Sequence, residues 1–266
     1  MRVLASCDSN YFLAFGRTFY TSAILKGYDP IINVINPTEE VLNLSFGIPN
    51  IDFTYSSNNR YTYYASNRFI IAPKYIEDGL LISDIDSIFR NPFPTDDMAE
   101  MIKTPIGLCR RAPKIPEILA GLVWYNGSKI SHQFAEKASV ILDELCAQDV
   151  EWGVDQTVLT SLYRKIDRKY FYSLRISARA QAHMTYHMAE DACIWTGKGT
   201  AKYLNRPYLN YTKEINDRSI DVFGFVRDFE HGALEKTKGS IDWHSPLAFR
   251  RREEMLAIKR LENEQQ

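Results

Sequence analysis

The sequence predicts an α/β fold, a largely parallel sheet with helices packed against it, and three observations carry this. Residues 2–35 read as strand, helix and strand. A second apolar run, Leu80-Leu81-Ile82-Ser83, meets Asp84-Ile85-Asp86 and resumes as Ser87-Ile88-Phe89. Further apolar runs of strand length then alternate with stretches of helical period as far as Trp195. Parallel neighbours need a crossover, usually a helix, so this alternation is the pattern of such a sheet.

Residues 2–7 are expected as a buried strand, with Asp8-Ser9-Asn10 as the loop after it. Phe12, Phe15, Phe19, Ala23 and Ile24 recur at helical spacing over 11–25, and Gly27 supplies the stop. Residues 31–35 form the second strand, closed by Asn36-Pro37. Leu42, Leu44 and Phe46 fit either a strand or a short helix. Residues 61–75 look helical, with a kink or early end at Pro73, because proline blocks the backbone hydrogen bond and clashes with the preceding turn. Asp78-Gly79 turns into the strand at 80. A short helix at 96–102 precedes strands at 105–110 and 118–125. Ser131 is expected to cap a helix carrying Phe134, Ala138, Ile141, Leu142 and Leu145 on one stripe. Val158, Leu159 and Leu162 mark another helix, for which Asp155 could be the cap. A late strand is expected at 192–195, then a polar, loop-like stretch from Tyr203 and a charged helix over 246–264. No internal repeat or low-complexity segment is visible.

A chain of 266 residues holds ample core, and 45% hydrophobic with 24% charged residues is ordinary for a soluble globular protein. A formal net charge of −1 argues against a general nucleic-acid binder, which needs a basic face. Cys7, Cys109, Cys146 and Cys193 make no metal-ligand spacing and read as reduced thiols. No signal peptide and no membrane-spanning apolar run are seen, so the expectation is a soluble, cytoplasmic protein.

The chemistry concentrates at Asp84-Ile85-Asp86. In extended backbone the two carboxylates share one face while Ile85 turns inward. Two such charges repel unless a cation or a ligand's donor groups lies between them, and Mg²⁺ or Mn²⁺ prefers oxygen ligands of this kind. Ligands of α/β sheets gather at the strand ends where this pair sits. A polar strand end reaching water would look the same. Neither a Gly-x-Gly-x-x-Gly turn nor a Gly-x-x-x-x-Gly-Lys-Ser/Thr loop occurs, so any nucleotide must be held differently. Thr196-Gly197-Lys198-Gly199-Thr200 offers backbone N–H groups beside an ammonium, which suits phosphate and equally suits a plain surface turn.

Taken in order, Ala5-Ser6-Cys7-Asp8-Ser9-Asn10-Tyr11, Tyr64-Ala65-Ser66-Asn67-Arg68, the Asp84–Asp86 pair, Ala120-Gly121-Leu122, Asp155-Gln156 and Gly197-Lys198-Gly199 resemble the GT-A-fold nucleotide-sugar glycosyltransferases, in particular glycosyltransferase family 8. The resemblance covers roughly residues 2–202. It implies a single GT-A-type domain over 1–210, with a Rossmann-like mixed central sheet flanked by helices, and a C-terminal extension over 211–266 ending in a helix. It also implies a metal-dependent hexosyltransferase moving a sugar from a nucleoside-diphosphate donor, UDP above all, to a glycan or other hydroxyl acceptor, with retention at the anomeric carbon. By the same resemblance, Asp8 and Tyr11 hold the nucleobase, and Arg68 and Lys198 meet the phosphates, with Lys202 competing for the latter role. Asp84 and Asp86 bind Mn²⁺ or Mg²⁺, Asp84 also touching the donor, and Asp155 and Gln156 line the pocket for the transferred sugar. Two departures stand out. Ile194-Trp195-Thr196 occupies the place where relatives carry a histidine metal ligand, leaving His183 or His187 as substitutes, and Leu119 stands where relatives often carry Asn.

Other classes read the same residues differently. A haloacid-dehalogenase-type phosphatase would use Asp84 as nucleophile and Asp86 as acid/base, but that motif normally opens its fold. A nucleotidyltransferase would need a glycine-rich loop that is missing. A catalytically degenerate nucleotide-sugar-binding module is the non-enzymatic reading.

Overall fold

The computed structural model describes residues 1–111, 116–148, 150–176, 182–197, 199 and 201–219. Lys198, the helix expected over 246–264 and most of the expected C-terminal extension lie outside the described residues. Strand β1 (Arg2–Asp8) runs directly into helix α1 (Ser9–Tyr11), because the Asp8 carboxylate caps it by accepting the Tyr11 backbone N–H (2.8 Å). The loop expected at 8–10 is therefore the start of a helix. The helix widens through a π-turn at Phe12–Gly16 and continues as α2 (Arg17–Leu25). Strand β2 (Asp29–Ile35) follows, then α3 (Glu39–Ser45), a helix begun by the Thr38 hydroxyl where the sequence left strand or helix open. Strand β3 (Ile51–Thr54) was not expected.

Helix α4 (Tyr61–Ile70) ends ahead of Pro73, as the proline requires, and passes into a short 3-10 turn at Ala72–Lys74. Strand β4 (Leu80–Ser83) stops one residue before Asp84. The Ser87 N–H donates to the Asp84 carbonyl (3.1 Å), so 84–87 is a turn and not the extended strand expected. Strand β5 (Ser87–Phe89) leaves that turn for a different sheet. Next come α5 (Thr95–Lys103), β6 (Ile106–Arg110), β7 (Ile118–Tyr125) and α6 (Lys129–Cys146). Helix α6 is capped by Ser128, not Ser131. Helix α7 (Val154–Lys165) has Gly153, at φ +90°, in its cap position, so Asp155 lies inside the first turn and is not the cap. Strands β8 (Phe171–Leu174), β9 (Met184–Thr185) and β10 (Ile194–Thr196) precede α8 (Ala201–Leu204) and α9 (Arg206–Asp217). The stretch expected to be loop-like from Tyr203 is thus helical, and α9 runs across residue 210.

The main sheet has the order β3-β2-β1-β4-β7-β6-β8. Strands β3, β2, β1 and β4 are parallel, β7 is antiparallel to β4 and β6, and β8 is parallel to β6. A three-stranded sheet, β5-β10-β9, stands beside it. Alternation along β1 and β4 divides the core. Val3, Ala5, Cys7 and Leu81 join Phe12, Phe15, Phe19 and Trp124 on one face. Leu4, Leu80 and Ile82 join Phe69, Phe134, Leu142 and Leu159 on the other. All four cysteines are buried free thiols. No helix among the described residues is long and apolar enough to cross a membrane.

Two features of this frame position a site. Strand β2 lies on one side of β1 and β4 on the other, so the chain order reverses at β1 and opens a crevice at the carboxyl ends. The second feature is a buried amide cluster. The Asn67 side-chain NH₂ donates to Ser6 Oγ (3.0 Å) and Asn33 Oδ1 (2.7 Å), locking α4 to β1 and β2 one residue before Arg68.

Candidate active site

Asp8, Tyr11, Arg68, Asp84, Asp86, Asp155 and Lys202 gather at the ends of β1 and β4 as two adjoining polar groups, one around Arg68 and one around Lys202, that feel each other's charge. Arg68 is the centre of the first. Its side chain is only 6% exposed, and Nη2 lies 2.9 Å from Asp84 Oδ1 and 3.3 Å from Asp155 Oδ2. The same guanidinium donates to the carbonyl oxygens of Ala65 (2.7 Å) and Ala120 (3.3 Å), which fixes its plane. Gly121 makes room for this arrangement, since a Cβ there would sit 2.9 Å from Asp84 Oδ2.

Asp86 turns the other way. Its Oδ2 accepts from the Lys202 ammonium at 2.6 Å, with both side chains buried, and its carbonyl accepts from the Tyr208 hydroxyl (2.6 Å). Lys202 Nζ also lies 3.3 Å from Tyr11 Oη, 4.6 Å from the Tyr11 ring centre and 5.0 Å from that of Phe15. Thus α8 and α9, in a stretch expected to carry little structure, close one wall of the site.

The electrostatics follow from crowding four carboxylates against two cations. Burial pushes Asp84 above the ordinary carboxylate range; Arg68 opposes this, while Asp86 and Asp155 add to it. Burial likewise raises Asp155, against the pull of Arg68 and the Gln156 N–H, which donates to Asp155 Oδ1 at 2.7 Å. Asp8 is also raised by burial, partly offset by the N–H groups it caps. Burial pulls Lys202 down, but Asp86 and the neighbouring phenols outweigh it and hold the ammonium above its usual range. Gln156 Oε1 is buried without a hydrogen-bond partner among the described residues, which leaves an acceptor beside Asp155 for a ligand donor.

These contacts bear directly on the expected metal. A hard divalent ion takes about six oxygen ligands. Asp84 and Asp86 are each already closed on a cationic side chain, and they diverge across a turn. No group of three His, Cys, Asp or Glu among the described residues is placed to hold an ion. His183, considered as a third ligand, has both ring nitrogens engaged: Nδ1 accepts the Arg175 backbone N–H (3.1 Å), and Nε2 faces Asp97 Oδ2 at 3.0 Å. His187 is exposed and joins no such group. Thr196, at the end of β10 where a histidine would stand, bonds Ser87 Oγ (2.8 Å). As arranged, the residues do not fit a divalent ion; they fit an ammonium and a guanidinium.

Four aromatic side chains near these groups carry no signal in the motifs of the sequence. Tyr208 pins the Asp84–Asp86 turn. Tyr186 has its phenol pushed up by burial and by the nearby Asp84 and Asp86. Tyr61 and Trp152 form an exposed aromatic pair, 56% and 54% accessible, with ring centres 5.6 Å apart at 34°. Trp152 precedes Asp155 by three residues, and Tyr61 precedes Arg68 by seven, two helical turns along the same face of α4. Only the exposed tryptophan beside a glycine, Trp152-Gly153, was a signal for that pair.

No family model and no curated protein matches this sequence. The likeness lies in three dimensions. The galactosyltransferase LgtC, solved in complex with donor and acceptor sugar analogs, matches with a TM-score of 0.53 at 14% identity over 88% of this chain and 100% of its own. The glycosyltransferase GlyE of Streptococcus pneumoniae TIGR4 matches with a TM-score of 0.53 at 14% identity over 90% of this chain, which spans 63% of GlyE's length. The chain therefore has the α/β fold of these glycosyltransferases, the GT-A arrangement of a mixed central sheet flanked by helices.

Proposed function

We propose that this protein is a glycosyltransferase that moves a sugar from a nucleoside-diphosphate donor, UDP first among them, to an acceptor hydroxyl with retention. One observation carries the reading: Arg68 and Lys202 are buried at the carboxyl ends of β1 and β4, at the strand-order reversal, within a fold shared with glycosyltransferases. Both cations suit phosphate oxygens, the guanidinium as a fork and the ammonium as a point charge.

The roles follow from placement. Asp8, at the end of β1, accepts a nucleobase N–H through the oxygen not used for capping, and Tyr11 lends a ring to the base or ribose. Arg68 and Lys202 meet the diphosphate. Asp155 and Gln156 face the transferred sugar, and the unpartnered Gln156 Oε1 takes one of its hydroxyls or the developing positive charge. In the transfer, the bond from the anomeric carbon to the phosphate oxygen breaks and its electron pair leaves with the diphosphate. The acceptor oxygen bonds to that carbon, and its proton passes to the departing phosphate. Fixed positive charge beside that oxygen lowers the barrier because it needs no reorganisation as charge develops. The Tyr61–Trp152 pair supports a glycan acceptor, since paired exposed rings offer flat faces to a sugar. The phosphatase reading loses ground: its nucleophile, Asp84, is held by Arg68.

Screening nucleoside-diphosphate sugars for slow hydrolysis without acceptor tests the reading. Release of UDP from a UDP-hexose, lost in Asp155→Asn, is expected. Turnover of a generic phosphomonoester with no turnover of any nucleotide sugar would overturn it.

A further inference from the structure

We propose that Lys202 supplies the positive charge that a divalent ion supplies in other diphosphate sites, so that donor binding and cleavage here proceed without metal. The inference rests on the glycosyltransferase reading above and says which cation serves it.

Four observations converge on Lys202. Its ammonium is buried and sits 2.6 Å from the carboxylate that would otherwise be a metal ligand. Of its three N–H donors, one is directed to Asp86 Oδ2 and one to Tyr11 Oη (3.3 Å); the third has no partner among the described residues. The rings of Tyr11, Phe15 and Tyr203 surround the charge at 4.6, 5.0 and 5.7 Å, stabilising a cation in a site with little water. The backbone is shaped to deliver it: a Cβ on Gly197 would lie 2.2 Å from Lys202 Cβ, so only glycine lets the chain fold back there. Tyr208 and Asp86 act as positioning residues, the first holding the turn and the second orienting the ammonium.

Arg68 completes the set. It occupies Asp84, the other carboxylate of the pair, at 2.9 Å. A divalent ion would have to displace both side chains, and the Lys202–Asp86 pair is largely sheltered from water, where breaking a pair one-sidedly is costly. A diphosphate needs neither displaced, because both cations keep N–H donors to offer it.

The test uses the full chain, dialysed against EDTA. UDP binding is measured by calorimetry and UDP-hexose hydrolysis by UDP release, each with EDTA and with added Mn²⁺. Equal binding and equal rates in the two conditions are expected. Lys202→Met should lower kcat by about 100-fold, the scale of losing one charge-stabilising donor, and Lys202→Arg should recover part of it. Melting curves of both variants report folding; if Lys202→Met does not fold, the wild-type comparison alone decides. Hydrolysis that EDTA abolishes and Mn²⁺ restores would overturn the inference while leaving the transferase reading intact. Absence of both UDP binding and hydrolysis in every condition would overturn the transferase reading and this inference with it.

Discussion

Replacing Arg68 with methionine isolates the central interaction of the site. Methionine keeps most of the side chain's length and apolar stem but removes the charge. In the native protein the guanidinium lies between Asp84 and Asp155, and Asp155's side chain is only 9% exposed. Removing one partner of a buried pair strands the other charge, which costs about 3–5 kcal/mol. Asp84 keeps 30% exposure and stays partly hydrated, so most of the loss comes from Asp155 and the lower end, about 3 kcal/mol, is expected. For a domain of this size that is a fall in Tm of roughly 6–12 °C. The pH dependence gives the sharper test. Burial already holds Asp155 above its ordinary range and Arg68 opposes that rise, so the variant lets Asp155 climb further. A carboxyl whose folded pKa exceeds its unfolded value costs stability above the folded pKa, and the cost vanishes as pH falls towards the unfolded value of about 3.9. The deficit of the variant against wild type, measured by urea unfolding, should therefore be largest near pH 7.5 and shrink towards pH 5. A deficit below about 1 kcal/mol at neutral pH, the size of an exposed ion pair, or one of equal size at both pH values, would refute the reasoning. Arg68→Lys, which keeps a charge without the fork, should restore part of the stability.

Two further substitutions separate positioning from packing. Gly121→Ala puts a methyl group 2.9 Å from Asp84 Oδ2 and 3.4 Å from Met184 Cε, so the carboxylate must shift. Hydrolysis of the donor should fall about tenfold or more, as small misplacements do, with urea stability changed little; unchanged kcat/KM would show that Asp84 does not need its place. Trp152→Ala removes one ring of the exposed pair. It should raise the acceptor KM by about two- to tenfold, the worth of one aromatic contact, while acceptor-free hydrolysis holds, and a loss of hydrolysis instead would place the ring on the donor side.

Much of the scaffold was legible because buried strands and amphipathic helices write their burial into composition. Strands at 2–8, 80–83, 106–110 and 118–125 are runs of residues that are almost all inaccessible. The edge strand β3 was not, because Ile51-Asp52-Phe53-Thr54 is half exposed and four residues carry too little pattern. Helix α9 was misread for a related reason. Its buried face is Tyr208, Tyr211, Thr212 and Ile215, correctly spaced for a helix, but three of the four carry a hydroxyl and the stripe looks polar. Asn205 followed by Arg206-Pro207 was the overlooked signal, since an Asn cap with proline in the first turn marks a helix start. The alternation of Asp84, Ile85 and Asp86 misled because a turn satisfies it as well as a strand does: Ile85 is buried either way. Which cations would meet those carboxylates was beyond sequence spacing. Arg68 and Lys202 reach them from 16 residues before and 116 after, through the packing of α4 and α8.

The charge balance of the assembled site gives these contacts a common logic. Arg68 and Lys202 carry two positive charges against the four carboxylates of Asp8, Asp84, Asp86 and Asp155. An excess of two negative charges therefore remains in a place with little water, where it is felt strongly. It does not settle evenly. Asp86 faces Lys202 alone, whereas Asp84 and Asp155 share Arg68, and it is these two whose affinity for a proton burial raises. A site built in this way holds fixed side-chain charge of both signs, paired at Arg68 and at Lys202. The turn at Asp84–Asp86, the glycine at 121 and the folded-back Gly197 are the backbone features that hold those charges in place.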